Sequence, residues 1–552
     1  MAFIVKKIIN GKDYYYLNEN KRVDGKVKTK TLAYLGKIKK DAEKKKIQIM
    51  KKMEEKKETK IDKEDEKVNT KISIEDITSF CKRKGFVYPS SDIYGGFSGF
   101  WDFGHLGVEL KNNIKENWWN FHVRQREDVV GIDGSIITNP KVWEASGHVA
   151  SFVDLAVVCK KCNNKTKVDK YEFGKVVCEK CGGEFINKGE FNTMFTTRVG
   201  PIREDSNISY LRPETAQLIF TNFKFVQENA RLKLPFGMAQ IGKAFRNEIA
   251  PRDFLFRCRE FEQMEIEYFV DPNENCPYKI GNTEILVYSA EMQEDKKDPI
   301  KMKIKEALKK GIIKKIWHAY WLEQEFLWFI KLGVNPDRFR IRQHLREEKS
   351  HYASDTWDLE YNFPFGWKEL EGIADRSDFD LKQHQEHSKV NLNMINNKDK
   401  KIIPHVVCEP SQGVERAFLV FIFDAYTYDP KRRNIILRLH PKLSPIKAAI
   451  FPIVKQPKFE KIAEDIFNDL KKEWNVIYDK SGSLGRRYAR NDEIGTPFCI
   501  TVDEGSIKKK DITIRSRDTK KQIRVKISEL KEILKKLINC EIEFVAAGKL
   551  VK

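Results

Sequence analysis

The alternation of apolar and polar positions changes character several times along the 552 residues. FIVKKIING, KDYYYLNEN and KVKTKTLAYLG are short β-rich runs separated by Gly, Asn and Asp, and they predict a small β unit over residues 1–36. Residues 37–72 are dominated by Lys and Glu, the pattern of a charged helix or linker. SIEDITSFCKRKG predicts a helix with Ser73 or Asp76 near its cap, and it opens a globular middle over 73–436. There KNNIKENWWNFHV reads as an amphipathic helix. LPFGMAQIGKAFRNE and RCREFEQMEIEYFV alternate and carry many aromatics, as antiparallel strands do, with IAPRDFLF as the loop between them. Alternation along the second run points Arg257, Arg259 and Phe261 to one face. Residues 299–335 are a helical stretch rich in Trp and Phe, inside an expected helical insert of about 275–350, and VERAFLVFIFDAY (414–426) is an apolar helix. After HPKLSP, strands and helices alternate to the end, predicting an α/β domain over 437–552. The chain shows no internal repeat.

Charge sharpens this division. The net charge is +21, but residues 71–430 hold 52 basic and 53 acidic side chains. The excess sits at the ends: 21 Lys and Arg against 12 Asp and Glu in residues 1–70, and 29 against 16 in residues 431–552. A polyanion held at two places explains this distribution, because neutralised phosphates release counterions; a Lys-biased set of solvated faces is the plainer alternative. No stretch approaches the apolar run a membrane span requires, and the N-terminus is not read as a secretory signal. Six of the ten cysteines are scattered singly, which fits a reducing cytoplasm better than a disulfide framework.

The other four cysteines, Cys159, Cys162, Cys178 and Cys181, read C-x2-C-x15-C-x2-C, the spacing of a zinc-ribbon-like insertion over 156–186. Four thiolates close a tetrahedral sphere and leave no position for a water, so the expected zinc is a structural clip and not a catalytic one.

Three segments carry candidate chemistry. The first is GFVYPSSDIYGGFSGFWDFGHLGVELKNNIKENWW (85–119), continuing to NPKVWEASGHVASFVD (139–154). The second is LRPETAQLIFTNF (211–223) with PFGMAQIGKAFRNEIAPRDFLFRCREFEQMEIEYFV (235–270). The third is GWKELEGIADRSDFDL (366–381) with CEPSQGVERAFLVFIFDAY (408–426). Together they resemble the three signature motifs of class II aminoacyl-tRNA synthetases, in the form found in glycyl-tRNA synthetases, and HPKLSPIKAAIFPIV onward is similar to that family's anticodon-binding domain. The resemblance covers about residues 80–550. It implies an α+β protein: an antiparallel-sheet catalytic domain with a zinc-ribbon-like and a helical insert, an anticodon-binding α/β domain, and a homodimer whose interface includes the first motif. His105 stands where the family usually has Pro.

The resemblance also implies the reaction. Glycine and ATP form glycyl-adenylate with Mg2+, and glycine passes to the 3′ end of tRNA(Gly). The same adenylate chemistry admits dinucleotide polyphosphate synthesis as a side activity. Carried over residue by residue, the catalytic set is Arg246, Glu248, Arg259 and Arg416. The ATP set adds Asn247, Phe256, Arg257, Cys258, Glu260, Phe261, Glu369, Leu370, Gly413, Val414 and Glu415. Arg246 grips the α-phosphate, where charge builds during attack. Phe261 stacks adenine, Arg416 reaches the γ-phosphate, and the Glu369 carboxylate can hold Mg2+. The glycine set is Glu214, Phe261, Glu262, Gln263, Met264, Glu265, Glu409, Pro410, Ser411, Gln412 and Gly413, with Lys167 at the position nearest to a family Arg. A glycine site has no side chain to read. Attraction alone discriminates one methyl by only about 1–3 kcal/mol, so the site must exclude larger substrates and grip the ammonium with acid. Glu214, Glu265 and Glu409 are the carboxylates placed to do so. Rival readings are a synthetase-like accessory protein without catalysis and a class II enzyme for threonine, serine or proline; the retained arginines and EPSQGVER argue against them. Residues 1–70 lie outside the resemblance and are expected to form an added tRNA-binding arm or a charged tail without a specific role.

Overall fold

The computed structural model describes residues 2–9, 12–23, 26–38, 41, 43, 45, 72–151, 153–168, 173–201, 207–349 and 353–551. The charged stretch expected over 37–72 falls almost wholly outside them. The chain divides into two compact units, residues 1–72 and 73–552.

The first unit is an antiparallel meander of β1 (Ala2–Ile9), β2 (Lys12–Val23) and β3 (Lys26–Gly36), the three runs the alternation predicts. Its small core is Tyr15, Leu17 and Leu35, with Ile4, Leu32 and Ala33 packed against them.

The second unit opens on α1 (Ile74–Lys84). Ser73 caps it: the Asp76 N–H donates to Ser73 Oγ at 3.1 Å, and the Ser73 N–H donates to Asp76 Oδ2 at 3.0 Å. Next come α2 (His105–Trp119) and β4 (Val129–Gly131), then a separate three-stranded sheet of β5 (Val153–Cys159), β6 (Lys165–Val168) and β7 (Phe185–Asn192) that carries the cysteines. Helix α3 (Ala216–Asn229) leads into β8 (Phe236–Phe245) and β9 (Glu260–Val270), which pair antiparallel as their alternation predicts.

The segment 275–350, expected as a helical insert, is only partly helical. It holds β10 (Glu284–Tyr288), β11 (Ile300–Lys303), α4 (Ile304–Lys309), α5 (Ile316–Lys331) and β12 (Phe339–Gln343). EILVY and FRIRQ bury alternate positions, a strand period that the Trp-rich helix beside them masks, and both join the main sheet. Strands β13 (Asp355–Phe363) and β14 (Gly366–Asp375), helix α6 (Phe379–Ser388), strand β15 (His405–Gly413) and helix α7 (Val414–Ala425) complete this part.

The main sheet has nine strands in the order β11-β10-β12-β13-β14-β15-β9-β8-β4. The six from β12 to β8 are antiparallel throughout; the β10–β12 and β8–β4 pairs are parallel. One face packs on α5, where Trp317 and Trp321 meet Tyr268 at 5.2 and 5.1 Å between ring centroids. Helix α7 is apolar nearly all round and accordingly buried, with Phe418, Phe421 and Phe423 at 2 % exposure or less. Each such ring contributes roughly 1.5–3 kcal/mol of burial free energy. Among the described residues of this unit, α3 and α6 cover one end of the opposite face, where Phe220, Phe223 and Leu381 pack on Phe236 and Phe269. Beside them that face opens into a cavity.

The C-terminal part is a six-stranded sheet in the order Val476–Tyr478, Ala448–Pro452, Phe498–Val502, Asp511–Ser516, Gln522–Lys526 and Lys549–Leu550. Its first three strands run parallel and the remainder antiparallel, with helices Pro457–Leu470 and Leu530–Ile538 contributing to one core.

Candidate active site

The open face of the main sheet forms a cavity of about 400 Å³. Alternation decides what enters it. Along β9, Phe261, Gln263 and Glu265 line the cavity. Glu262 turns to the other face, within 2.8 Å of Lys111 Nζ and 2.9 Å of Lys115 Nζ, and Met264 is fully buried. Along β15, Glu409, Ser411 and Gly413 line the cavity, while Gln412 Nε2 donates to Glu371 Oε2 at 3.3 Å.

At one end are arginines and rings. The Arg246 guanidinium lies 5.4 Å from the centroid of the Phe261 ring, and its Nε donates to the Pro213 carbonyl at 3.0 Å. Arg416, in the first turn of α7, stacks on Phe256 at 4.6 Å, and its Nη1 lies 3.1 Å from Glu369 Oε1. Desolvation at the cavity wall opposes charge on the half-exposed Glu369, but Arg416, His344 and Arg246 together outweigh it and hold the carboxyl below its ordinary range. Glu248, Arg257 and Leu370 also line this end. Arg259 does not: its Nε and Nη1 donate to the carbonyls of Glu248 (2.8 Å) and Ser98 (2.9 Å). Arg257 and Phe261 share the cavity face, but Arg259 does not join them, because it lies in a bend and the strand begins only at Glu260, so the period of two does not run through it.

Of the remaining ATP-set positions, Glu260 pairs with Lys243, and the Asn247 N–H donates to Thr193 O at 2.7 Å. Val414 is fully buried. Cys258 and Glu415 line the cavity, and Glu415 also accepts from Lys111 Nζ at 2.8 Å.

The other end is acidic and buried. Arg376, fully buried, donates to both oxygens of Asp380 (2.7 and 2.8 Å) and to Glu409 Oε1 (2.7 Å), and its Nη2 lies 3.8 Å from Glu214 Oε1. Gln217 Nε2 donates to Glu214 (3.1 Å) and to Asp380 (2.9 Å), and His148 Nε2 sits 3.1 Å from Glu214 Oε2. Ser411 Oγ donates to Glu265 at 2.7 Å and Thr215 Oγ1 donates to its second oxygen. One oxygen each from Glu265, Glu267 and Glu409 lie within 4.8 Å of one another. Burial pushes Glu214 up, but His148 and Arg376 outweigh it and hold it well below the usual range. Burial and neighbouring carboxylates push Glu265 up, and Glu267 and Glu409 far up. Neither carboxyl oxygen of Glu267 has a hydrogen-bond partner among the described residues. Such a pocket is short of positive charge, and an incoming cation would relieve it.

The cysteines converge as their spacing predicts: the four Sγ atoms lie within 4.8 Å of one another. A tetrahedral site with Zn–S near 2.3 Å needs sulfurs about 3.8 Å apart; Cys159–Cys181 and Cys162–Cys178 are at 3.4 and 3.6 Å. Burial raises the Cys159 thiol, yet the N–H groups of Cys162 and Lys161 outweigh it and bring it to about 6. The set fits a soft divalent ion.

Residues 447–537 match the family model described as anticodon binding domain, and residues 4–66 match one described as IS1634 family transposase, N-terminal domain. A glycine–tRNA ligase of Thermobifida fusca (strain YX) is 41% identical over 494 residues, spanning 84% of this chain and 98% of that protein. Those of Treponema denticola (41% over 468 residues, 83% and 95%) and Borrelia hermsii (43% over 465 residues, 83% and 95%) align as extensively. The chain belongs to the glycine–tRNA ligase family. A large, mostly antiparallel sheet followed by an anticodon-binding domain is the architecture of its class II fold.

Within that family frame, the cavity brings together Arg246, Glu248, Phe261, Glu369 and Arg416 at one end and Glu214, Glu265, Glu409 and Ser411 at the other. Glu262, Met264 and Gln412 face away from it, and Pro410, one residue from Ser411 on β15, lies outside the lining. Lys167 lies on β6 opposite Ala156; its side chain is outside the described residues. Sequence reasoning missed Arg376, Asp380, Gln217, His148 and Glu267. The D-R-S-D-F-D string carried a signal, since Arg376 and Asp380 are four apart, the spacing of a helical ion pair. It also missed His344 and Asp358 on the cavity wall, 2.8 Å apart, where burial pushes Asp358 up to about 7.

Proposed function

We propose that this chain activates glycine with ATP and transfers it to tRNA(Gly), with the cavity as the site of both steps. The observation that carries the reading is the juxtaposition, on one sheet face, of an arginine- and ring-lined end with a buried acidic end organised by Arg376. The ammonium of glycine takes the place among Glu214, Glu265 and Glu409, and Ser411 and Thr215 keep Glu265 oriented. Arg246 and Arg416 then face the triphosphate, where charge develops as the carboxylate attacks the α-phosphate. Adenine stacks on Phe261, whose ring already supports Arg246. Glu369 and Glu248 supply oxygens of the kind Mg2+ takes, and the ion would offset charge on the phosphates. The chemistry is positioning and charge stabilisation, with no protein nucleophile. Glycine-dependent exchange of labelled pyrophosphate into ATP tests the reading: exchange with glycine but not with alanine, serine, threonine or proline is expected, and its absence from folded protein removes the activity. The adenylate so formed also serves dinucleotide polyphosphate synthesis if the terminal phosphate of a second ATP attacks its phosphorus and glycine leaves.

The finer parts of the reading are a homodimer, a structural zinc and a cytoplasmic setting. Exposed Ile93, Tyr94 and Phe97 in the first motif, at 77–88 % exposure, supply apolar surface for a second copy; a single-chain mass in light scattering would remove the dimer. All ten cysteines are unpaired, which supports a reducing compartment, and no helix among the described residues is long and apolar enough to cross a membrane. Zinc analysis is expected to give one ion per chain, lost in the Cys159→Ser, Cys178→Ser double variant with faster proteolysis between residues 153 and 192. Metal-free protein with an unaltered digestion pattern would exclude the clip.

A further inference from the structure

The ligase relatives are 95–98% covered by the alignments, yet these span only 83–84% of this chain. The N-terminal meander matches a model from another family, and none of the residues that line the cavity belongs to it. Its core occupies one side of the sheet: Tyr15, Leu17 and Leu35 are buried together. The period of two sends Tyr14 and Tyr16 to the opposite side. Tyr34 joins them there, with ring centroids 6.2 Å from Tyr14 and 5.3 Å from Tyr16, and is half exposed. Two lysines flank the rings, one on β1 and one just past β3: Lys7 Nζ lies 5.3 Å from the Tyr16 centroid and Lys37 Nζ 5.3 Å from that of Tyr14. Residues 1–40 carry 11 Lys and Arg against three acids, and one of those acids, Asp13, is paired with Lys6 at 2.6 Å.

Three clustered rings edged by ammonium groups on a solvent-facing sheet are what unpaired nucleotides require: π-faces for the bases and cations for the phosphates between them. A duplex buries its base faces, and an acidic protein surface, though it would meet the charge, offers no run of bases for the rings to stack on. We infer that the Tyr14–Tyr16–Tyr34 face binds unpaired nucleotides of the tRNA substrate, stacking bases on Tyr16 and Tyr34 and holding phosphates with Lys7 and Lys37. The assignment to tRNA rests on the ligase reading; the binding chemistry does not. The second basic region of the chain, the anticodon-binding part, supplies the other grip on the same polyanion.

The test uses the full chain. A Tyr16→Leu, Tyr34→Leu variant keeps apolar bulk and removes the stacking faces; it is expected to weaken tRNA binding in a filter assay, and raise KM for tRNA, by about tenfold. Tyr16→Phe, Tyr34→Phe keeps the faces and should bind like the parent. Lys7→Gln, Lys37→Gln, at exposed positions that do not endanger folding, should weaken binding about threefold and flatten its salt dependence. In all three, glycine-dependent pyrophosphate exchange, which needs no tRNA, stays at the parental rate. Unchanged tRNA affinity in both the Leu and Gln variants overturns the inference, as does a Phe variant as weak as the Leu one. Equal competition by single-stranded DNA of the same sequence overturns the assignment to tRNA. Loss of exchange in the parent protein would strike the ligase reading alone, because filter binding reports on the face independently.

Discussion

Arg376→Met is expected to lower unfolding free energy by about 3–5 kcal/mol and to abolish glycine-dependent pyrophosphate exchange. Arg376 reaches Asp380, Glu409 and Glu214, all buried. Methionine fills similar volume and leaves those carboxylates without their cation. Removing one member of a buried pair is much worse than replacing the whole pair with apolar groups, because the orphaned charge keeps its desolvation penalty. Glu214, which His148 and Arg376 hold ionised, can then escape by taking up a proton, and a neutral acid no longer attracts an ammonium. Both effects therefore have one origin. The Arg376→Met, Asp380→Asn double variant separates them: it should recover part of the stability, since one uncompensated acid is gone, and none of the exchange. Urea unfolding and exchange rates on the same preparations check this. A single variant of parental stability would show that the acids do not depend on Arg376.

The second large effect is expected at Arg416 and is purely catalytic. Arg416→Gln should slow exchange about 100- to 1000-fold, the usual loss when a preorganised donor to developing charge is removed, and should raise KM for ATP. The melting temperature should move little. The side chain is 24% exposed at the cavity and its contacts are a ring face, a carboxylate and two carbonyls that water can replace. Arg416→Lys should not restore the rate, because an ammonium cannot stack on Phe256 and reach Glu369 together. A melting temperature that falls with the rate would point instead to a structural role for the Arg416–Glu369 pair.

Much of the architecture was legible along the chain because it depends on local periodicity. The three N-terminal runs, the Ser73 cap, the β8–β9 pair and the apolar helix α7 each announce themselves within a dozen residues. The strands at 284–288 and 339–343 were less visible, because five-residue alternations are weak signals beside a sixteen-residue helix whose Trp and Phe dominate the window.

The site divides along the same line. By itself the sequence determined the chemistry available: the four-cysteine spacing, the arginines and carboxylates in their strings, and the charge excess at both ends. It could not say which members of those strings face one another. A contiguous run such as Phe261–Glu265 looks like a single ligand set, yet the pleat divides it, sending Glu262 to Lys111 and Glu265 to the cavity. A bend at Arg259, just before the strand begins at Glu260, breaks the period and takes that arginine out of line. The tertiary structure alone brought Arg376 from beyond the end of β14 to Glu214 and Glu409, more than thirty residues away on either side. Burial is a property of the packed sheet, and burial is what lets His148 and Arg376 set the charge of Glu214.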